Sequence, residues 1–242
     1  MSKVSILGVD IDNLDIKEAV AEIEVCVREG EPDLIVTANP EIIMLARQDE
    51  EFSRCLERAR MITADGIGVV IAARLLGKPV KQRVAGIDLV TALFALGAKK
   101  GLTFYFVGAR PGVAEKAARK VRSDYPGIQI IGVHHGFFRD DSELLRDIAA
   151  QKPDILLAAL GMGKQEKWIL DRVSEVGVPV SIGVGGSFDV FAGEAKRAPA
   201  WMCNTGLEWL YRLLKQPSRL GRMLQLPRFL LLILLSRLKL VK

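Results

Sequence analysis

The chain has 242 residues, of which 50% are hydrophobic and 26% charged, so it can form one sizeable core. Its net charge of +5 is uneven: residues 209–242 hold eight Lys or Arg and no Asp or Glu, which leaves −3 on residues 1–208. Three widely spaced cysteines, Cys26, Cys55 and Cys203, exclude a disulfide framework and a zinc-finger domain, and we interpret them as packing residues.

Short apolar runs alternate with segments of helical periodicity along the chain. The first residues, MSKVSILGVDID, lack the features of a secretory signal, so we expect a cytoplasmic protein. Strands are predicted at 4–9, 33–38, 61–64, 103–108, 128–133, 154–160 and 178–184. Helices are predicted at 15–29, 41–59, 66–76, 87–100, 112–124, 141–151 and 164–176. Because apolar strands that alternate with helices are typical of a covered parallel sheet, we predict an α/β fold. It is a Rossmann-like, open, mostly parallel sheet with helices on both faces, formed by residues 1–206.

The basic segment 207–242 forms the second part of the predicted organisation. It contains a run of seven apolar residues at 229–235, far short of the roughly 18 to 20 that span a bilayer. We predict a helical, membrane-binding appendage, peripheral on the anionic inner face of the plasma membrane. A terminal helix whose leucines pack on the body remains an alternative. Nucleic-acid binding is disfavoured, because no recognisable nucleic-acid-binding motif accompanies the basic residues.

Unusual residues cluster where the predicted strands end. They form the stretches TANPE (37–41), DG (65–66), GARPG (108–112), GMGKQE (161–166) and GVGGSFD (183–189). Since the carboxyl ends of parallel strands meet at one edge, near helix N-termini, we expect these stretches to form one ligand site. Glycines at several turns favour a diphosphate-bearing ligand. Taken singly, each stretch also has a structural explanation, for example a helix cap at Asn39 or Asp65 and a tight turn at Gly108 or Gly161.

Two common nucleotide-binding loops are absent. The stretch 183–188 has Phe188 where a dinucleotide fingerprint needs its third glycine. Lys164 is followed by Gln165 and has Ala158 at the upstream glycine position, so it does not belong to a Walker loop. These departures disfavour a dehydrogenase and an ATPase.

The candidate metal ligands are few. Asp10 and Asp12 form an Asp-x-Asp pattern, but they end the first predicted strand without a third ligand, and we interpret them as an edge or turn feature. His134 and His135 are adjacent, and an extended segment would point them to opposite faces. We therefore predict a metal-independent site without a cofactor, in which arginines and helix dipoles balance the charge of a leaving diphosphate.

Several stretches resemble, in order and approximate spacing, those of the WecG/TagA/CpsF glycosyltransferases, family 26. They are TANPE (37–41), ADGIG (64–68), RVAGID (83–88), GMGKQE (161–166), GGSFD (185–189), AG (192–193), RAP (197–199) and GLEWLYR (206–212). One departure is Gly163, where the family usually has proline. The resemblance covers nearly the whole chain. It implies transfer of N-acetylmannosamine (ManNAc) from its UDP conjugate to the 4-hydroxyl of the N-acetylglucosamine (GlcNAc) on undecaprenyl diphosphate, a β-1,4 linkage made in wall teichoic acid synthesis.

The resemblance and the chemistry together suggest a role for each candidate residue. A sugar hydroxyl is a poor nucleophile, so an inverting transfer needs a carboxylate base, for which Asp65 is the candidate. Thr37 and Asn39 are expected to hydrogen-bond the sugar or diphosphate and complete the catalytic set. In the body, the expected substrate-binding residues are Arg83, which could also be a surface charge, Gly108, Gln165 and Asp189. In the appendage, we expect Arg212, Arg219 and Arg222 to neutralise the UDP diphosphate.

The expected partners are a UDP-sugar donor, a polyprenyl-diphosphate-linked GlcNAc acceptor and an anionic membrane surface, without nucleic acid. The resemblance also implies that the body forms a homo-oligomer when the appendage is disordered. One alternative keeps the reaction class but uses UDP-ManNAcA, UDP-glucose or UDP-galactose for another surface polysaccharide. A second alternative is a non-catalytic, membrane-peripheral nucleotide-binding module, which would bind UDP without turnover.

Overall fold

The computed structural model describes residues 2–215, 217, 220–223 and 225–238, without the side chains of residues 204, 212, 222 and 223. The described strands are β1 (Lys3–Ile6), β2 (Val9–Asp12), β3 (Asp33–Ala38), β4 (Met61–Ala64), β5 (Thr103–Gly108), β6 (Gln129–His134), β7 (Ile155–Ala159) and β8 (Val180–Gly183). The described helices are α1 (Ile16–Glu29), α2 (Pro40–Ala46), α3 (Glu50–Glu57), α4 (Ile67–Leu75), α5 (Gly86–Lys100), α6 (Val113–Asp124), α7 (Ser142–Gln151), α8 (Lys164–Trp168), α9 (Ser187–Phe191), α10 (Ala200–Asn204), α11 (Glu208–Lys215), α12 (Leu220–Met223) and α13 (Gln225–Arg237).

Strands β3 to β8 form one parallel sheet in the order β4-β3-β8-β7-β5-β6. Successive residues of β3 show that both faces are covered. Leu34 and Val36 belong to a core shared with α2, α3, α4 and α7, whereas Ile35 belongs to a second core shared with α1, α5 and α6. A strand buried on both faces needs apolar residues throughout, which is the pattern in the sequence. The predicted α/β fold with an open, mostly parallel sheet and helices on both faces is confirmed.

The predicted first strand at 4–9 is wrong. This segment forms an antiparallel hairpin, β1 and β2, outside the six-stranded sheet. Its turn is made by Leu7 and Gly8, whose φ angles are 49° and 90°. The hairpin lies along the edge strand β4, where the Asp12 carboxylate accepts a hydrogen bond from the Ile62 N–H at 2.8 Å. Asp12 therefore binds the edge strand of the sheet.

Two predicted helices differ in detail. The segment 41–59 is divided into α2 and α3, because the Asp49 side chain accepts from the Phe52 N–H at 3.0 Å and begins a new helix. Helix α8 continues as a wider π turn (Ile169–Val173) and a 3₁₀ turn (Ser174–Val176). Helices α9 and α10 were not predicted, since five residues are too few to show a helical period.

Helix α13 packs against α2 and α4. Its Phe229 and Ile233 are fully buried in the core that contains those two helices. On its other side, Leu231 and Leu234 are 56% and 46% exposed, and Leu238 just beyond the helix is 66% exposed. One face of the C-terminal segment thus packs on the body, and the other presents leucines to the outside. Within the part of the chain that the structure describes, no helix is both long and apolar enough to cross a membrane.

Candidate active site

A cleft of about 810 Å³ opens at the carboxyl edge of the sheet. Its walls are the loops that follow β3, β4, β7 and β8, together with the start of α11. The topology explains this position. Strand β3 leads into α2 on one face of the sheet, while its neighbour β8 leads into α9 on the other, and such a divergence leaves a crevice between the two strand ends. The volume is within the range of roughly 300–1,000 Å³ that is usual for small-molecule sites.

Most of the predicted site residues meet in this cleft. Its wall contains Thr37, Asn39, Asp65, Arg83, Gln165 and Asp189. Gly108 is not part of the wall: with φ of 133°, a Cβ there would lie 2.5 Å from the carbonyl carbon of Ala159, so this glycine lets the end of β5 pack closely on β7. Arg219 lies outside the described residues, and so do the side chains of Arg212 and Arg222.

Asp65 directly follows β4, and its N–H donates to the Ala38 carbonyl at 2.8 Å. Asp65 lies just before helix α4, which begins at Ile67 after Gly66 at the N-cap position. Its carboxylate faces the N-terminus of α5, with Oδ2 3.5 Å from the Gly86 nitrogen. The positive end of a helix dipole favours a negative charge at that place, which suits an ionised base.

Thr37 and Asn39 come from β3, the neighbour of β4, and reach the same edge as Asp65. Asn39 caps α2, because its Oδ1 accepts from the Ile42 N–H at 2.9 Å. This bond leaves the Nδ2 amide as the group with which Asn39 can donate to a ligand. Thr37 is buried beside the start of α5, where a Cβ on Gly86 would lie 2.8 Å from its Oγ1. Glycine is therefore needed for α5 to approach β3 this closely.

Gln165 and Glu166 are buried side chains that hold the loops after β7 and β8. Gln165 donates from Nε2 to Glu166 at 2.8 Å and accepts on Oε1 from the Gly185 N–H at 3.2 Å. Glu166 also accepts from the Gly163 N–H at 2.7 Å, and burial raises the pKa of its carboxyl group. A Cβ on Gly183 would lie 2.4 Å from the Gln165 Nε2, so only glycine fits at the end of β8.

The charged residues of the cleft include two ion pairs that join distant segments. Arg83 pairs with Glu208 of α11 at 3.4 Å. Arg197 forms a bidentate pair with Asp88 of α5 at 2.6 and 2.8 Å, and this carboxylate raises the pKa of Arg197. The described lining contains four basic residues, Arg83, Lys196, Arg197 and Lys215, and five acidic residues, Glu41, Asp65, Asp189, Glu194 and Glu208. It therefore has no positive excess with which to balance a diphosphate.

The sequence matches the glycosyl transferase WecG/TagA/CpsF family over residues 4–242. The chain belongs to this family. A relative from Bacillus spizizenii is 43% identical over 81% of the chain and 76% of its own length. A relative from Bacillus subtilis is 40% identical over 83% and 78%, and one from Staphylococcus aureus is 34% identical over 100% and 96%. All three are named N-acetylglucosaminyldiphosphoundecaprenol N-acetyl-beta-D-mannosaminyltransferase.

Within this WecG/TagA/CpsF glycosyltransferase, Gly163 has a specific backbone role. Its φ of 83° is outside the range that a proline ring allows, and its N–H donates to Glu166. Proline at this position could not adopt the positive φ angle and would have no N–H to donate to Glu166. Gly163 therefore holds the loop in a way that proline could not, and Lys164, Gln165 and Glu166 lie at the start of α8.

Several residues that line the cleft of the glycosyltransferase were not predicted as site residues. Arg197 is one of them, although it lies in the RAP stretch that matched the family. Helix α11 contributes Glu208, Trp209, Tyr211 and Lys215, so the segment predicted as an appendage forms part of the wall. Except for Lys215, these residues lie in stretches that resemble the family, but neither charge pattern nor periodicity shows which side of a helix meets a cleft.

Among the described residues of the glycosyltransferase, no group of three or more His, Cys, Asp or Glu is arranged to hold a metal ion. Asp10 is exposed on β2, and Asp12 binds the edge of the sheet. The expectation that His134 and His135 point to opposite faces is wrong, since their ring centroids are 4.6 Å apart. The extended strand β6 ends at His134, and the His134 Nδ1 lies 2.6 Å from the His135 carbonyl oxygen. The three cysteines are buried and free.

Proposed function

We propose that this chain transfers ManNAc from UDP-ManNAc to GlcNAc-diphospho-undecaprenol with inversion, forming the β-1,4 linkage unit of wall teichoic acid. One observation carries the proposal. All the stretches that resemble the family except AG (192–193) contribute to a single cleft, in a chain that is 34–43% identical to relatives named for this reaction. The relatives' acceptor is a polyprenyl-diphosphate-linked GlcNAc, which is the acceptor that we propose here.

Asp65 acts as the general base. It removes the proton from the 4-hydroxyl of the acceptor GlcNAc while the oxygen forms a bond to the anomeric carbon of ManNAc and UDP leaves with the bonding electrons. Its position at the N-terminus of α5 keeps a negative charge favourable there. Thr37 and the Nδ2 amide of Asn39 hold the sugar or diphosphate in line.

Gln165 and Asp189 bind the uridine part of the donor. Both line the cleft near the ends of β7 and β8. Gln165 uses its Oε1 and one N–H to hold Gly185 and Glu166, which leaves a second N–H for the ligand. It therefore binds the nucleotide and positions the loop after β8 at the same time.

The reaction is metal-independent in this proposal, so cationic side chains must balance the UDP diphosphate. The described lining has no positive excess, which supports a role for Arg212, Arg219 and Arg222. Arg219→Ala and Arg222→Ala should each lower turnover of a water-soluble acceptor by about 100-fold, the scale of a lost transition-state contact. Arg228→Ala, which removes an exposed charge from the same segment, is the matched control. Full activity of both variants would restrict these arginines to membrane anchoring.

The C-terminal segment also binds the membrane in this proposal, which places the protein peripherally on the cytoplasmic side. Exposed Leu231, Leu234 and Leu238 lie near Arg228 and Arg237 on or beside α13. Basic residues near an anionic leaflet contribute about 1 kcal/mol each. When α13 leaves the body, the apolar surface of α2 and α4 is uncovered, and the body then self-associates.

A donor screen with a short-chain GlcNAc diphospholipid tests the function. We expect UDP release with UDP-ManNAc, dependent on the acceptor, and a β-1,4-linked product. Preferred turnover of UDP-ManNAcA, UDP-glucose or UDP-galactose would assign a different donor. Binding of UDP without turnover of any donor would identify a non-catalytic module.

A further inference from the structure

A second cavity, of about 430 Å³, lies beside the cleft, and we call it the side groove. Its apolar lining is Met44, Leu45, Leu160 and Met162; the other lining residues are Glu41, Gln48, Gly161, Lys164, Gly221 and Gln225. Met44 is buried, while Leu45, Leu160 and Met162 are half-buried and accessible from the groove. The groove thus has an apolar interior and a polar rim.

The side groove is continuous with the cleft. Glu41, Leu160, Gly161 and Met162 line both cavities, so they form the passage between them. A molecule in the groove can reach the active-site edge without leaving the protein surface. A Cβ on Gly161 would meet no described atom within 4 Å other than those of its chain neighbours, so the passage is open on this side.

Gln225 contributes a polar side chain to the groove lining. The Oε1 atom of Gln225 is buried and has no hydrogen-bond partner among the described residues. A side-chain amide can rotate, so this position offers either an acceptor to a sugar hydroxyl or a donor to a phosphate oxygen. On the opposite rim, Lys164 presents an exposed ammonium group.

The C-terminal end of the groove lies between α12 and α13, at Gly221 and Gln225. The same two helices expose Leu220 and Leu231, each by 56%. Leu231 is one of the leucines that face the membrane in the proposed function, and Leu220 directly precedes Gly221 of the groove. The groove therefore leads from the membrane-facing helices to the active-site edge.

We propose that the side groove binds the polyprenyl diphosphate of the acceptor, an inference that rests on the proposed function. The isoprene units nearest the diphosphate lie on the apolar lining, Lys164 and Gln225 contact the diphosphate, and the GlcNAc extends through the passage to Asp65. The described lining has one basic residue, Lys164, and one acidic residue, Glu41, beside an apolar interior. An apolar surface with a lysine next to it fits an isoprenyl diphosphate, in which an apolar chain adjoins an anionic group. A nucleotide sugar has no apolar chain to place there.

Gly221 allows a test without backbone strain. A Cβ at this position would meet no atom of the described residues within 4 Å, so phenylalanine can enter the groove mouth, and Gly221→Ala is the matched control. Two acceptors, GlcNAc diphosphate esterified to farnesol or to methanol, are compared in solution without vesicles. The wild type should have about a tenfold lower KM for the farnesyl ester, since burial of the chain adds apolar contact. Gly221→Phe should lose most of this preference, whereas Gly221→Ala should keep it.

A second measurement does not depend on turnover. Farnesyl diphosphate is added to protein labelled at its methionine methyl groups, and the NMR signals of Met44 and Met162 are followed. We expect both signals to shift in the wild type and in Gly221→Ala, and to stay unchanged in Gly221→Phe. Absent shifts in the wild type, or an unchanged farnesyl preference in Gly221→Phe, would exclude this groove as the acceptor site. Methionine shifts without sugar transfer to either acceptor would instead refute the proposed function and leave the groove as an isoprenyl diphosphate site.

Discussion

Replacing Phe229 with alanine should release α13 from the body without unfolding the sheet. Phe229 is fully buried in the core shared with α2 and α4, and Ile233 is the other fully buried side chain of α13. Truncation of a buried phenylalanine costs about 3–5 kcal/mol. Because α13 follows the last strand, this cost weakens mainly its docking. A free-energy change of about 1.4 kcal/mol changes an equilibrium constant tenfold. The ratio of docked to undocked α13 should therefore fall by about a hundredfold to a few thousandfold.

Hydrogen exchange followed by mass spectrometry measures this effect. Peptides from α13 should lose protection in Phe229→Ala, while peptides from β3 and β8 should keep it. Leu231→Ala is the matched control on the same helix, because Leu231 is 56% exposed and contributes little to docking. This control should keep its protection and bind anionic vesicles more weakly. Sedimentation velocity should detect self-association of Phe229→Ala, whose α2 and α4 surface is uncovered.

Two results would contradict this reasoning. Unchanged exchange of α13 in Phe229→Ala would mean that the buried ring does not hold the helix. Equal loss of protection in α13 and in the sheet would mean that α13 and the body unfold as one cooperative unit. In that case the C-terminal segment could not detach by itself, and the link between undocking and self-association would be lost.

Three further predictions concern the chemistry and its loop. Asp65→Asn should lower kcat by roughly 100-fold or more while UDP affinity stays within a few-fold; a parallel loss of both would make Asp65 a ligand-binding residue. EDTA should leave activity largely intact, and a loss restored by magnesium or manganese would return Asp10 and Asp12 to consideration as ligands. Gly163→Pro should lower the free energy of unfolding in urea by about 1–3 kcal/mol, because the positive φ and the N–H to Glu166 are lost. An unchanged value would show that the loop readily adopts a proline-compatible conformation.

The sheet was predictable because its strands are apolar throughout, and that pattern is specific to strands covered on both faces. The hairpin was not, because VSILGV reads as one apolar run. Its turn uses Leu7 at a φ of 49°, a conformation that leucine rarely adopts and that no turn propensity predicts. Gly8 was the one residue in this run that indicated a turn.

The convergence of the site loops was predictable, because parallel strands bring all their carboxyl ends to one edge. The partners within the site were not. Arg83 and Glu208 are 125 positions apart, and Arg197 and Asp88 are 109 apart. These ion pairs form only because the fold places Asp88 of α5 next to Arg197 and Glu208 of α11 next to Arg83. The buried face of α13 was hidden for a similar reason: a run of seven apolar residues does not show which of them face the body.

The hydrogen bond between Asp12 and Ile62 also protects the protein against aggregation. The edge of a β-sheet carries unpaired N–H and C=O groups with which a strand of another molecule can pair. On β4, one of these N–H groups is already bound by a carboxylate whose side chain is only 3% exposed. An incoming strand would have to displace the hairpin and leave that buried carboxylate without its donor, which is energetically unfavourable. The hairpin thus prevents the sheet from growing by strand addition at this edge.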